Sequence, residues 1–224
     1  MHYFLNGGRN ERAVVKSRSA LDFYRRLSVR NILIIPYAIT EQYWQQLWHD
    51  QQDLFGVPGL EARALTTLDT DPSKIADYVN WADFIYLPGG AQQSLLTRME
   101  QLGTGQILSA AIASGSLKLL GGGSAGAMVM GTQCIVGHSN VNAVVAGLDL
   151  LPGYIVDSHF TNRHRENRLL DVLQEHQELI GIGIDEDTGI ILSEDFTLQT
   201  VMGAGTVSVY RNNKKEIYDS NSQL

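Results

Sequence analysis

Apolar positions along the chain fall into short unbroken runs separated by stretches with helical spacing. His2–Gly8 (HYFLNGG) reads as a strand entering a glycine turn, and Asn31–Ala38 (NILIIPYA) as a continuous run of β-branched and leucine residues. Such runs suit strands covered on both faces, as in a parallel sheet. Between them, Ser17–Ser28 (SRSALDFYRRLS) puts Leu21, Tyr24 and Leu27 on one helical face, which completes a β-α-β start. Thr40 caps a predicted helix over 40–55. A strand is predicted within 62–68, a helix with an early proline over 71–82, and a buried strand over Asp83–Gly90 (DFIYLPGG) that ends in a glycine pair. Helices over 92–103 and 105–115 precede strand, turn and helix in Leu117–Gly131 (LKLLGGGSAGAMVMG).

Beyond that point the pattern loosens. Residues 134–160 are punctuated by glycine and weakly periodic. Residues 162–177 read as a helix with Leu169, Leu170 and Leu173 as its apolar face. Residues 179–194 hold two short strands around an acidic turn, and 198–212 a strand, glycine turn and strand. The polar tail 221–224 frays. This alternation predicts an α/β protein, a three-layer α/β/α sandwich around a mostly parallel sheet. No repeat or linker interrupts it, so residues 1–224 are expected to form a single domain. Ligands in such sheets bind beyond the carboxyl ends of the strands, which draws attention to the loops 89–92 and 121–126.

Composition narrows the function classes. The 224 residues are 44% hydrophobic and 18% charged, enough for a sizeable core, with a net charge of −7. That balance argues against broad affinity for nucleic acid or an anionic membrane surface. One cysteine, Cys134, permits no intramolecular disulfide and no cysteine-based metal site. No signal peptide is read at the start, and no run nears the ~18 apolar residues of a membrane span, so a cytoplasmic protein is expected.

The most informative stretch is Gly121–Gly126, GGGSAG. Gly122, Ser124 and Gly126 fit G-x-S-x-G, in which a sharp strand-to-helix turn exposes a serine hydroxyl at the sheet edge. Gly121, Gly123 and Gly126 also satisfy a dinucleotide-loop spacing. That fingerprint, however, opens a first βα unit and is followed by an acid ~20 residues on, and neither condition is met here. A Walker loop fails for want of lysine. A nucleophilic serine requires a base. Among six histidines, His159 stands where an apolar run ends and a polar segment begins, with His138 second. Asp185, Glu186 and Asp187 follow a buried run and offer a carboxylate to orient an imidazole. Arg163, Arg165 and Arg168 suit carboxylate recognition, or a solvated helix paired with Glu166 and Asp171.

GGSAGA, then DSHFTNRHRENRL, then GIGIDEDT, with LPGGAQQ upstream, resembles the peptidase E and cyanophycinase family of serine peptidases. The resemblance implies a class I glutamine amidotransferase-like (flavodoxin-like) fold. It implies Ser124 as nucleophile, His159 as base and Glu186 as third member, with Asp185 and Asp187 as alternatives. It also implies oxyanion donors at Gly90 and Ala125, and substrate contacts at Gln92, Arg163, Arg165 and Arg168, with no metal or organic cofactor. Two features depart from the family pattern. Ser158 stands where cyanophycinases carry glutamine, and only Asn140 and Asn142 occupy a stretch where some members have an acid. The expected activity is hydrolysis beside aspartyl residues in small peptides. A cyanophycinase-like hydrolase of β-aspartyl peptides and a non-catalytic ligand-binding member of the fold are the alternatives. The expected partner is a small aspartyl peptide, and a homodimer is left open.

Overall fold

A computed structural model describes residues 1–39, 56, 58–66, 69–137 and 143–222. Strand β1 (His2–Asn6) leads through two short helices, α1 (Glu11–Val15) and α2 (Arg18–Arg26), to β2 (Asn31–Ile34) and β3 (Glu61–Ala64). Helix α3 (Pro72–Trp81), β4 (Phe84–Leu87), α4 (Gln92–Gln101) and α5 (Thr104–Ala113) follow, then β5 (Leu119–Gly123) and the four-residue α6 (Ala125–Met128). The remainder is mainly strand: β6 (Gly131–Val136), β7 (Ala143–Ala146) and β8 (Leu151–Ser158), one helix α7 (Glu166–Glu175), then β9 (Ile180–Ile184), β10 (Thr188–Leu192), β11 (Leu198–Gly203), β12 (Val207–Arg211) and β13 (Lys214–Tyr218). Local chemistry sets several helix starts. The side chains of Asn10, Ser17 and Asp71 each accept a backbone N–H of the first turn, and Pro72 opens α3 where its missing donor costs nothing.

The strands form two sheets. The first has seven strands in the order β11-β10-β1-β5-β4-β2-β3, parallel from β1 to β3 and antiparallel at β10 and β11. Alternation along β1 sends Phe4 to one face and Tyr3 and Leu5 to the other. Phe4 joins Phe23, Tyr24, Ile32 and Phe84 under α1 and α2. Leu5, Leu33, Ile85 and Leu120 join residues of α3, α4 and α5 on the opposite face. This is the α/β sandwich that the sequence pattern predicts.

The second sheet has six strands in the order β13-β12-β9-β8-β6-β7. Its β6, β8 and β9 are parallel, and its outer pairs are antiparallel. Ile155, Ile182, Ile184 and Val207 from this sheet share a core with Tyr3, Leu5, Ile190 and Leu192 of the first. Helix α7 covers β9, and Leu169 and Leu173 lie close to Gly181.

The second sheet is an addition to the sequence reading. Glycines at 131, 147 and 153 hide the periodicity of its strands, and β13 (KKEIY) is almost wholly exposed. The two strands around the acidic turn do not pair with each other: β9 joins the second sheet and β10 the first. β11 and β12 divide in the same way. The helix expected over 162–177 begins only at Glu166. Residues 161–164 form turns, His164 has φ 53°, and the Arg165 N–H bonds the Phe160 carbonyl, so helical geometry cannot start earlier. The helix expected over 40–55, with His49, and the histidine at 138 lie outside the described residues.

Close packing of α6 onto the first sheet depends on missing side chains. A Cβ on Gly126 would lie 1.8 Å from the Leu87 carbonyl oxygen. Gly126→Ala is expected to destabilise the protein by about 2–3 kcal/mol. At this chain length that is a fall in Tm of roughly 5–10 °C, measurable by thermal denaturation.

Candidate active site

Ser124 sits between the end of β5 and the start of α6 with φ 48° and ψ −115°. This conformation is strained for a residue with a Cβ, and it lifts the hydroxyl clear of the sheet edge. Small neighbours make the turn sterically feasible. Gly122 packs against the Gly126 backbone, and a Cβ on Gly89 would lie 3.1 Å from Ser124 Cβ. The Ser124 N–H is held by the Asn6 carbonyl at 3.0 Å.

His159 follows β8, also at a strained φ of 50°. Its backbone N–H bonds the Gly7 carbonyl at 3.0 Å, which fixes the imidazole over the end of the first sheet. Nε2 lies 2.8 Å from Ser124 Oγ, and Nδ1 lies 2.8 Å from Glu186 Oε1. With a carboxylate accepting at Nδ1, the neutral ring carries its proton there and leaves Nε2 to accept from the serine. The three side chains form a continuous relay that can move the hydroxyl proton onto the imidazole and stabilise the resulting cation.

The acidic turn divides its labour. Glu186 reaches His159, and its N–H is held by Asn162 Oδ1 at 3.1 Å. Arg9 lies 3.4 Å from its other carboxylate oxygen. Asp185 instead accepts from Thr161 N at 2.9 Å and from Thr206 N and Oγ1 at 3.0 and 2.8 Å. Asp187 accepts from the Asn10 N–H at 3.2 Å. Of the three acids, only Glu186 touches the imidazole; the other two tie loops together.

Gly90 and Ala125 flank the serine. The Gly90 backbone, at φ 146°, passes so close to Ala38 that a Cβ would lie 2.4 Å from its carbonyl oxygen, and the Ala91 N–H bonds that same oxygen. Among the described residues, neither the Gly90 nor the Ala125 N–H donates to a protein acceptor. Both are available as preorganised donors.

The basic segment is organised around an acid outside the expected set. Asp157, fully buried at the end of β8, accepts from Arg165 at 3.1 Å and from Arg168 Nε at 2.6 Å. Arg165 is not on the helix face with Arg168; it caps α7 and also donates to the Ser158 carbonyl at 2.8 Å. Arg163 stays exposed beside His159. Gln92 Nε2 and Ser158 Oγ meet at the Met128 sulfur, at 3.3 and 3.2 Å, so Gln92, Ser158 and Arg165 share one buried patch next to the nucleophile helix. Asp157, Met128 and Gly8 were not singled out from the sequence. Gly8 was legible as part of a glycine pair at a strand end; a Cβ there would lie 2.7 Å from His159 Nε2 and 2.9 Å from Ser124 Cβ. Among the described residues, no group of three or more His, Cys, Asp or Glu is placed to hold a metal ion. None of their helices is long and apolar enough to cross a membrane.

The fold and this serine–histidine–glutamate arrangement define a hydrolase-like site of the nucleophile-elbow class. The profile of Peptidase family S51 matches residues 5–200, and the chain belongs to that family. It is 37% identical over 140 residues to the cyanophycinase of Geminocystis herdmanii (strain PCC 6308), covering 59% of this chain and 51% of that protein. It is 35% identical over 186 residues to the cyanophycinase of Thermosynechococcus vestitus (strain NIES-2133 / IAM M-273 / BP-1), covering 79% and 57%. The chain thus spans about half the length of the curated relatives it matches. Its fold is similar to that of a peptidase from an acI-B1 Actinobacterium, with a TM-score of 0.71, 22% identity and coverage of 100% and 96%. A second similar structure, from Listeria monocytogenes EGD-e and described as a candidate peptidase E protein, gives a TM-score of 0.64, 19% identity and coverage of 91% and 98%.

Burial lowers the His159 pKa below the ordinary imidazole value, the Glu186 hydrogen bond opposes that, and Arg163 and Arg165 push it down further. Removing a repelling cation stabilises the imidazolium, so Arg163→Gln should raise this pKa. NMR titration of the His159 ring is expected to show a midpoint below 6.5 in the parent and a higher one in the variant. Gly8→Ala should displace the imidazole and cut Ser124 labelling by a fluorophosphonate at least tenfold, on the order of what a misplaced catalytic group costs.

Proposed function

We propose that the chain is a serine peptidase of the peptidase E/cyanophycinase type, hydrolysing peptide bonds beside aspartyl residues in small peptides. The observation that carries this reading is the Ser124–His159–Glu186 relay, with both hydrogen bonds at 2.8 Å, on a strained strand-to-helix turn. In the proposed reaction Ser124 Oγ attacks the substrate carbonyl carbon while His159 Nε2 takes its proton. The Gly90 and Ala125 N–H groups hold the oxyanion. Collapse breaks the C–N bond, and the imidazolium returns its proton to the departing amine. A water then attacks the acyl-enzyme, losing its proton to His159; the ester C–O bond breaks, the imidazolium returns that proton to Ser124 Oγ, and the carboxylic acid and free Ser124 are released.

Charge in the buried patch supports an acidic substrate. Burial of Arg165, together with the cationic Arg168 and Arg163, outweighs the attraction of Asp157 and leaves its pKa below the usual guanidinium value. Arg165 and Arg168 share the carboxylate of Asp157, two cations to one anion, and an incoming carboxylate is favoured beside them. A lone, buried Cys134 suits a reducing compartment, and the reading places the activity in the cytoplasm.

The β-aspartyl alternative draws support from the 35–37% identity to cyanophycinases. Ser158 in place of glutamine bears against their polymer as substrate. Ser124→Ala should abolish hydrolysis of aspartyl dipeptides while moving Tm by no more than about 2 °C. Parallel assays of α- and β-aspartyl dipeptides separate the two readings, and a fully active Ser124→Ala protein overturns both. Ligand binding that survives in that variant, without turnover in the parent, points instead to a non-catalytic protein.

A further inference from the structure

One partly buried acid beside the nucleophile takes no part in the relay. Glu11 opens α1, and its carboxylate is turned inward beneath the ends of β4 and β5. Glu11 Oε2 accepts from the Tyr86 hydroxyl at 2.7 Å, and that hydroxyl accepts from Asn6 Nδ2, also at 2.7 Å. Asn6 Oδ1 in turn accepts the Gly8 N–H at 3.1 Å. The Gly89 backbone lies against the same carboxylate, on the side of its other oxygen, Oε1.

Two glycines leave room for it. A Cβ on Gly123, the residue before Ser124, would lie 2.5 Å from Glu11 Cδ. A Cβ on Gly89 would lie 2.9 Å from Glu11 Oε1 and 3.1 Å from Ser124 Cβ. Gly89 therefore packs against both the carboxylate and the nucleophile. The next N–H along the chain is that of Gly90.

We propose that Glu11 is a positioning residue, which, tied to Tyr86 and packed against the Gly89 backbone, orients the loop that presents the Gly90 N–H to the oxyanion. The inference rests on the serine-peptidase reading. Burying a carboxylate is costly, and burial does push the Glu11 carboxyl above its usual range against the Tyr86 hydrogen bond. A group needed only to satisfy Tyr86 would be served by an uncharged acceptor. Tyr86 donates to one oxygen of the side chain and the Gly89 backbone lies against the other, and an amide would turn a donor toward one of them.

Glu11→Gln keeps the size of the side chain and removes one of its two acceptors. Its kcat on an aspartyl dipeptide should fall about 10- to 100-fold, the scale of a small misplacement of a catalytic group. KM should stay within about twofold, and the His159 titration midpoint should not move. Affinity for an aspartyl peptide boronate, whose tetrahedral adduct on Ser124 uses the oxyanion donors, should fall by the same factor as kcat. A purely structural role would lower Tm and leave kcat per boronate-titrated site unchanged, which overturns the proposal. Tyr86→Phe, a milder change, should lower kcat by about three- to tenfold at constant KM, the size of one net hydrogen bond. An unchanged kcat there overturns the proposal even when Glu11→Gln fails to fold. An active Ser124→Ala protein defeats the serine-peptidase reading itself. An inactive Ser124→Ala protein beside a fully active Glu11→Gln protein defeats the Glu11 inference alone.

Discussion

The hydrogen bonds of the Gly7–Gly8 backbone hold the two halves of the site together. Ser124 follows a strand of the first sheet, whereas His159 follows a strand of the second. Glu186 lies in the turn that carries the chain from the second sheet back to the first. Gly7 donates to the Thr188 carbonyl and accepts from the His159 N–H, while Gly8 accepts from the Asp187 N–H. A Cβ on Gly7 would lie 1.9 Å from the Asp185 carbonyl oxygen, so only glycine allows the segments to meet this closely. The spacing of serine, imidazole and carboxylate follows from that contact and not from any one loop.

Register does the rest of the positioning. In the first sheet Asn6 pairs with Gly123, and Leu87 with Gly122, so β1, β4 and β5 end at one level. The glycine turn after β1, the Pro88–Gly90 loop and the serine therefore emerge side by side. In the second sheet Ser158 pairs with Ile184, which brings His159 and the acidic turn out together. Ser124, His159 and Asp187 all have φ near +50°. Such backbone costs of order 1–3 kcal/mol per residue and persists only where its surroundings fix it. The Asn6, Gly7 and Gly8 hydrogen bonds supply that fixing here.

Residues whose role depends on a local pattern were legible in the sequence. The parallel strands of the first sheet showed as apolar runs, and Ser124 showed through the glycines its turn requires. His159 and the acidic turn showed as strand ends. What escaped depends on pairing between distant segments. The second sheet was hidden because its strands carry glycine or charge, and because neighbouring strands in sequence go to different sheets. The choice of Glu186 over Asp185 and Asp187 is made by Thr161, Thr206 and Asn10, which claim the other two. Asp157 sits in the same short motif as His159, yet its pairing with Arg165 and Arg168 needs the turn at 161–164 to fold the chain back. Sequence spacing suggested instead that the two arginines share a helix face.

Dividing the relay between two sheets also affects when the chain becomes reactive. A partly folded chain with only the parallel sheet formed has its serine on a turn but no imidazole beside it. A chain with only the second sheet has a histidine and nothing to activate. Serine, imidazole and carboxylate therefore meet only where the two sheets pack together, and the relay is a property of the assembled fold that neither sheet holds alone.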